Sequence, residues 1–113
     1  MSKIVNVNVG EDFTTVAFDV ASVMPLGDKM NAVCEEAYMN GYSWDAFINY
    51  YLEKNAPDVL DVIESDPEAE MYCVYVEDED TAKKLEDILE DILANEETVL
   101  DFLEENKDDI EWD

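Results

Sequence analysis

The chain has 113 residues, enough for one domain with a buried core, and 48% of them are hydrophobic. Its 31 acidic residues face only 6 basic ones, all lysines, so the formal net charge is −25 and the sequence contains neither arginine nor histidine. A field of this sign repels nucleic acid and anionic membranes and speeds encounter with basic proteins, so the expected macromolecular partner is a cationic protein.

The composition also bears on location. The first ten residues, MSKIVNVNVG, alternate polar and apolar side chains and lack the continuous apolar run of a secretory signal. No apolar run approaches the roughly 20 residues that a membrane-spanning helix needs. Cys34 and Cys73 show no metal-binding or redox spacing, and we expect both to be reduced, buried thiols. We therefore predict a cytoplasmic protein folded as a single domain over residues 1–113, with no membrane or nucleic-acid partner.

The chain begins with two segments of strand periodicity. From Lys3 to Val9 valines alternate with asparagines, and FTTVAFDVA (residues 13–21) alternates again after turn chemistry at Gly10. These segments predict an antiparallel hairpin, with Pro25 and Gly27 closing the unit. The inward side chains would be Val5, Val7 and Val9 in the first strand and Val16, Phe18 and Val20 in the second.

A helix is predicted next, from about Asp28 to Asn40, with Gly41 just past its end where a left-handed cap residue is favoured. Ser43 would then cap a second helix. The apolar residues of the first helix that recur at helical spacing are Met30, Val33, Cys34, Ala37 and Tyr38.

Five aromatic residues crowd residues 40–54, NGYSWDAFINYYLEK. At about 100° per residue, Trp44, Phe47 and Tyr51 fall on one stripe, which is more typical of a packed core than of a ligand platform. Tyr42 is expected in a loop and Tyr50 on the flank. Ile48 and Leu52 complete the stripe, and Asp45, Asn49 and Glu53 lie opposite.

The second half is predicted to repeat the order of strand and helix. Residues 58–64 fit either a short helix or the lead into a strand, and SDPEAE then makes a turn. MYCVYV (residues 71–76) is apolar on both faces, which indicates a strand covered on both sides or one with an open face for a partner. EDED opens a third helix, and a fourth follows the break at Asn95. The whole predicts an α+β domain in the order ββααββαα, with a small, mostly antiparallel sheet and helices packed on one face.

Acidic residues are concentrated in these last two helices, since 17 of the 31 lie between Glu77 and Asp113. Four carboxylates of the third helix are expected on its outer face as two like-charge pairs, each destabilising by about 0.2–0.5 kcal/mol. Repulsion left uncompensated over two helices favours a docking surface for a basic protein about as much as a solvated face, and tyrosine is typical of binding hot spots. The candidate partner-binding residues are Glu86, Asp87, Glu90 and Asp91 in the third helix, Asp101, Glu104 and Glu105 in the fourth, and Tyr42 and Tyr50.

The sequence offers little for catalysis. Histidine most often performs acid–base chemistry and arginine most often clamps phosphate, and the chain has neither. Its carboxylates lie mostly on predicted solvent faces and do not converge as those of glycosidases or metal hydrolases do. EDED fails as a calcium loop because the sixth position from Asp78 is Lys83, where an EF-hand needs glycine. We expect no enzyme activity, no cofactor and no bound metal.

The segments NGYSWDAF (residues 40–47), YLEKNAPDV (51–59) and SDPEAEMYCVYVED (65–78) share a recognisable pattern. A GYxW segment precedes a helix, and a DPEA turn leads into an aromatic-Cys strand and a final helical pair. From about Asn40 to Leu103 the chain thus resembles the Imm51 immunity proteins of bacterial polymorphic toxin systems. One position departs from the pattern, because Glu70 stands where a glycine is expected after the turn, and this bears on the turn type and strand register.

The resemblance implies a small cytoplasmic antidote that binds a toxin domain tightly and blocks its active site, without fixing the chemistry of the toxin. Toxins of such systems are often nucleases with basic grooves, which suits the acidity of this chain. The alternative function is a nucleic-acid mimic, of the anti-restriction or anti-CRISPR type, whose carboxylates imitate phosphate spacing. Such a mimic would bind several unrelated DNA- or RNA-binding proteins, whereas an antidote should bind one.

Overall fold

The computed structural model describes residues 4–112, which form a four-stranded antiparallel sheet and five α-helices and confirm the predicted α+β class and order. The first residue of the first predicted strand, Lys3, and the last residue of the chain, Asp113, lie outside the described residues. The elements are β1 (Asn6–Val9), β2 (Thr14–Asp19), a 3₁₀ turn (Val20–Val23), α1 (Met24–Val33), α2 (Gly41–Asn55), α3 (Pro57–Leu60), β3 (Ile63–Ser65), β4 (Met71–Val76), α4 (Glu79–Ala94) and α5 (Glu96–Asn106).

Two antiparallel hairpins make the sheet. β1 pairs with β2, β3 pairs with β4, and pairing of β2 with β4 gives the strand order β1-β2-β4-β3. In the first hairpin the N–H of Gly10 donates to the carbonyl of Phe13 at 2.9 Å. A Cβ at Gly10 would lie 2.7 Å from that oxygen, so the turn has no room for a side chain there. Both alternatives predicted for residues 58–64 occur in succession, as α3 and then β3.

The helices cover one face of the sheet and bury an aromatic cluster. Trp44 of α2 packs edge-on against Phe18 of β2, with ring centroids 5.4 Å apart, and Tyr72 of β4 stacks on Phe18 at 5.2 Å. Phe47 extends the cluster at 6.1 Å from Trp44. These four side chains are at most 1% exposed, so the prediction that the aromatic stripe is core is confirmed. Tyr51 is only half-buried, against the ring of Phe102.

The first predicted helix is displaced along the chain. α1 begins at Met24, because Pro25 fits the first turn of a helix, where its missing N–H is not needed. It ends at Val33 and so contains ten residues. Cys34 is buried as predicted, although it lies beyond the helix, but the inward placement of Tyr38 is wrong because that side chain is 77% exposed. The apolar residues continue at helical spacing in the sequence beyond Val33, where the helix itself ends.

In the hairpin one inward prediction is wrong, and a second residue packs against the core but lies outside the strand. Val9 is 61% exposed, because β1 is an edge strand and the chain turns away after it. Val20 lies in the 3₁₀ turn, half-buried, and its N–H donates to the carbonyl of Glu70 at 2.9 Å. Val16, by contrast, is fully buried as predicted.

The amino end of α2 differs from the prediction as well. Asn40 is the cap, since its Oδ1 accepts the N–H of Ser43 at 2.8 Å, and Ser43 therefore lies within the first turn. Gly41 is the first helical residue and has no left-handed backbone, whereas Met39 before it has a φ of 53°. Glycine is required at 41 for another reason, because a Cβ would overlap carbonyl oxygens of the 68–71 turn.

Candidate partner-binding surface

α4 carries the first part of the predicted acidic surface. The carboxylate of Asp78 caps this helix by accepting the N–H of Asp80 at 3.3 Å and the N–H and hydroxyl of Thr81 at 3.2 and 2.8 Å. The hydroxyl of Thr81 does most to hold the pKa of Asp78 below its ordinary value. The buried stripe of α4 consists of Ala82, Leu85, Leu89, Ile92 and Leu93.

Five of the predicted carboxylates form what we call the acidic helix surface: Asp87 and Asp91 on α4, and Asp101, Glu104 and Glu105 on α5. All five are exposed. Glu104 pairs with Lys107 at 3.6 Å. Within residues 4–112 the other four carboxylates have no lysine partner, and Asp91 instead accepts a hydrogen bond from the amide of Asn95 at 3.1 Å. The surface therefore keeps most of its negative charge.

The outward position predicted for Glu86 is wrong, and Glu90 is only partly exposed. Glu86 is only 8% exposed, and Glu90 is half-buried. One carboxylate oxygen of Glu90 accepts the N–H groups of Ile4 and Val5 at 3.0 and 2.9 Å, so this side chain ties the segment before β1 to α4. A signal was present in the sequence, because Glu86 lies four residues after Ala82 on the border of the apolar stripe. Any role of Glu86 and Glu90 in binding stays a prediction.

Tyr50 lies beside the acidic helix surface. Its hydroxyl donates to Oδ1 of Asn106 in α5 at 3.2 Å, and its ring centroid lies 6.0 Å from that of Phe102. The ammonium of Lys54 lies 5.2 Å from the ring centroid of Tyr50. These contacts fix the half-buried tyrosine between α2 and α5, next in space to residues that flank Asp101 and Glu105.

Tyr42 occupies a different place. It is 46% exposed and lies in the first turn of α2, not in a loop as predicted. It lies eight positions before Tyr50 in the same helix, which corresponds to about 12 Å along the axis. The two tyrosines are therefore not one patch, and Tyr50 is in contact with α5 through Asn106 and Phe102.

A second acidic surface was not predicted. A groove of about 990 Å³ lies between the turn before β2, the segment around β3 and the end of β4. The ring of Phe13 meets that of Tyr75 edge-on at a centroid distance of 4.8 Å, and the hydroxyl of Tyr75 donates to Asp66 at 2.6 Å. That hydrogen bond raises the pKa of Tyr75 to about 12. We call this feature the sheet-end groove; its apolar residues are Phe13, Val62, Ile63, Tyr75 and Val76, and its carboxylates are Asp12, Asp61, Glu64, Asp66, Glu77 and Asp78.

Comparison with protein-family models identifies the family of this chain. Residues 13–108 match the model of immunity protein 51 (Imm51), which covers most of the chain, from the residue before β2 to just past α5. The chain belongs to the Imm51 family. The resemblance inferred from residues 40–103 is thus confirmed and extends through β2 and α1. Comparison with curated proteins and with solved structures finds no match.

The two sequence motifs of this immunity protein meet in space. The N–H of Gly41, from the GYxW segment, donates to the carbonyl of Ala69, from the DPEA turn, at 2.9 Å. Residues 68–71 close a tight turn in which the N–H of each end residue bonds the carbonyl of the other. Glu70 lacks a positive φ, so this turn does not need a glycine at that position, and β3 and β4 pair in antiparallel register. The GYxW and DPEA segments are therefore in direct contact through a backbone hydrogen bond.

The interior of the immunity protein contains several titratable groups whose pKa values are shifted by burial. Asp45, predicted to face solvent, is half-buried, and burial raises the pKa of its carboxyl. Burial, followed by the charge of Asp45, raises the pKa of Tyr72 well above its ordinary value. Cys34 and Cys73 are buried free thiols, and burial raises the pKa of Cys73. That the chain is not an enzyme stays a prediction.

Within residues 4–112, the part of the chain that the structure describes, no group of three or more potential metal-ligating side chains could hold an ion. None of the helices in this part of the chain is long and apolar enough to span a membrane.

Proposed function

We propose that the chain is a cytoplasmic antidote of a bacterial polymorphic toxin system, and that it occludes the active site of one cognate, basic toxin domain of the nuclease type. Family membership supports the antidote role. The basic character of the toxin is inferred from charge, because a protein of net charge −25 associates fastest with a surface of opposite sign. A nuclease presents such a surface where it binds nucleic acid.

The observation that carries the proposal is the acidic helix surface with Tyr50 at its edge. Four of its five carboxylates lack a lysine partner in the described part of the chain, so their charge is available to a partner. The ring of Tyr50 is held by Asn106 and Phe102, so little side-chain entropy is lost when a partner packs on it. Carboxylates around a held tyrosine are the composition expected of a polar rim around an aromatic anchor.

The first test is co-expression with the candidate toxin domain encoded next to the gene, scored by growth, followed by the affinity of the purified pair. Rescue with a nanomolar one-to-one complex supports the proposal. No rescue and no complex contradicts it. Binding to several unrelated DNA-binding proteins, with steep loss on adding salt, would favour a nucleic-acid mimic instead.

The surface itself is tested by charge reversal of its exposed members alone. Changing Asp87, Asp91, Asp101 and Glu105 to lysine should lower the association rate by about tenfold or more at low salt, because rim charges act mainly on encounter. Glu86 and Glu90 stay unchanged, since reversing buried or half-buried carboxylates would damage the fold. The control reverses four exposed carboxylates elsewhere, namely Asp28, Glu35, Glu36 and Glu70. Equal effects of the two quadruple variants would mean that total charge matters and this surface does not.

A further inference from the structure

The sheet-end groove has properties that a solvated acidic patch does not need. Phe13 is 45% exposed and Val62 is 54% exposed, although most large apolar side chains of the described chain are buried. The groove is therefore an open apolar floor with a carboxylate rim. None of the residues that line it is basic.

The aromatic part of the floor is held in one orientation. Phe13 contacts the ring of Tyr75 edge-on, and Asp66 accepts the hydroxyl of that ring. The turn hydrogen bond between Gly10 and Phe13 fixes the backbone that presents Phe13. Rings held in this way lose little freedom when a ligand binds, and an aromatic face attracts a cation through its quadrupole.

Only some of the carboxylates on the rim of the groove accept hydrogen bonds from the protein itself. Asp78 is occupied as the cap of α4, and Asp66 accepts from Tyr75. Within residues 4–112 the remaining four carboxylates have no lysine partner. They are Asp12, Asp61, Glu64 and Glu77.

We infer that the sheet-end groove receives a segment of the toxin domain that bears lysine or arginine, with its charged groups against the rim carboxylates and its methylene stems on Phe13, Val62 and Tyr75. Long basic side chains cover apolar surface with their stems while their heads stay at charged positions, which matches this floor and rim. The inference rests on the proposed function and adds to it a second contact surface. The acidic helix surface steers the encounter, and the groove anchors the complex.

The test uses the full chain and the candidate toxin domain encoded next to its gene. Phe13→Ala is compared with Tyr38→Ala, an exposed aromatic residue outside the groove. Asp61→Lys combined with Glu64→Lys is compared with Glu35→Lys combined with Glu36→Lys, which changes the net charge equally. Each groove variant should raise Kd about thirtyfold, as for a hot-spot residue, and each control should change it less than about threefold. Phe13→Ala should act mainly through faster dissociation, and the charge-reversed pair should also slow association.

Because a variant could weaken the fold, amide hydrogen exchange of the wild-type chain provides a second readout. Binding should slow exchange of the groove backbone over residues 61–64. A wild-type complex in which groove variants match their controls and exchange at 61–64 is unchanged overturns the groove and leaves the proposed function standing. Absence of any complex with the wild-type chain overturns both.

Discussion

Removing the carboxylate of Glu90 should release the segment before β1 from α4. The perturbation is Glu90→Ala, which deletes the oxygen that accepts the N–H groups of Ile4 and Val5. Its matched control is Asp87→Ala, an exposed carboxylate on the same helix. Both variants remove one negative charge from a chain of net charge −25, so the relief of general repulsion is similar in each.

The expected loss follows from the hydrogen bonds. A hydrogen bond to a charged group contributes about 1.5–3 kcal/mol when buried. Glu90 is only half-buried, and the freed N–H groups can bind water, so we expect the two bonds together to contribute about 2 kcal/mol. With an unfolding entropy of about 2.1 cal/mol/K per residue, that loss lowers Tm by about 8 °C for a chain of 113 residues. Asp87→Ala should stay within about 0.5 kcal/mol of wild type.

Urea unfolding measures the difference, and amide hydrogen exchange locates it. The amides of Ile4 and Val5 should lose protection in Glu90→Ala, while those of the central strand β4 keep theirs until global unfolding. Glu90→Gln retains an uncharged acceptor and should lose about half as much stability. Equal stability of Glu90→Ala and Asp87→Ala, with unchanged exchange at Ile4 and Val5, would refute the assigned role of Glu90.

Other substitutions test the interior and the groove. Gly41→Ala should destabilise by about 1–3 kcal/mol because its methyl group would overlap carbonyls of the 68–71 turn. Gly27→Ala should shift the urea midpoint less, because its methyl group would lie 3.2 Å from Cβ of Met39, a tight contact without overlap, and alanine favours the helix; similar shifts would contradict this. Asp45→Asn should raise Tm at pH 7, because burial of the charged carboxylate disfavours folding there. The raised pKa of Asp45 in the folded protein means that its neutral carboxyl favours folding below the unfolded pKa of 3.8, and that this contribution to stability is lost as pH rises through the folded pKa. The gain should vanish near pH 3, and a gain that persists there is inconsistent with this cause. In an absorbance titration of the tyrosines, Tyr75→Phe should remove the one that ionises at about 12, because the hydrogen bond to Asp66 raises its pKa. The stability that this bond contributes is complete below pH 10.0 and is lost as pH rises through about 12. Loss of a tyrosine that ionises near 10 would contradict the assignment.

The parts of the fold that sequence predicted well are those set by local periodicity. The stripe from Trp44 to Leu52 and the buried face of α4 repeat every three or four residues, and burial follows that spacing directly. The strand pair 6–9 with 14–19 is a hairpin and was visible within a short window. The pairing of 63–65 with 71–76 was not predicted, because residues 58–64 fitted a short helix as well as the lead into a strand. Such elements can be predicted from the local pattern because the residues that pack or pair lie close together in the sequence.

The errors arose where distant segments meet. Glu86 and Glu90 look solvent-facing by polarity, but the chain before β1 returns across α4 and supplies N–H donors to Glu90. Gly41 resembles a helix stop, yet its lack of a side chain serves the contact with Ala69, 28 positions later. The sheet-end groove combines three separated segments, and so no single stretch of sequence displays it.

The strand order also determines how the molecule can assemble. Each hairpin closes a short loop, but the seam between β2 and β4 joins Asp19 to Met71, with 51 residues between them. An isolated two-stranded hairpin is at best marginally stable in water, so neither half of the sheet should persist until that long loop closes. The seam is therefore expected to set the folding rate, and substitutions at Val16 or Val74 should slow folding more than those at the sheet edges.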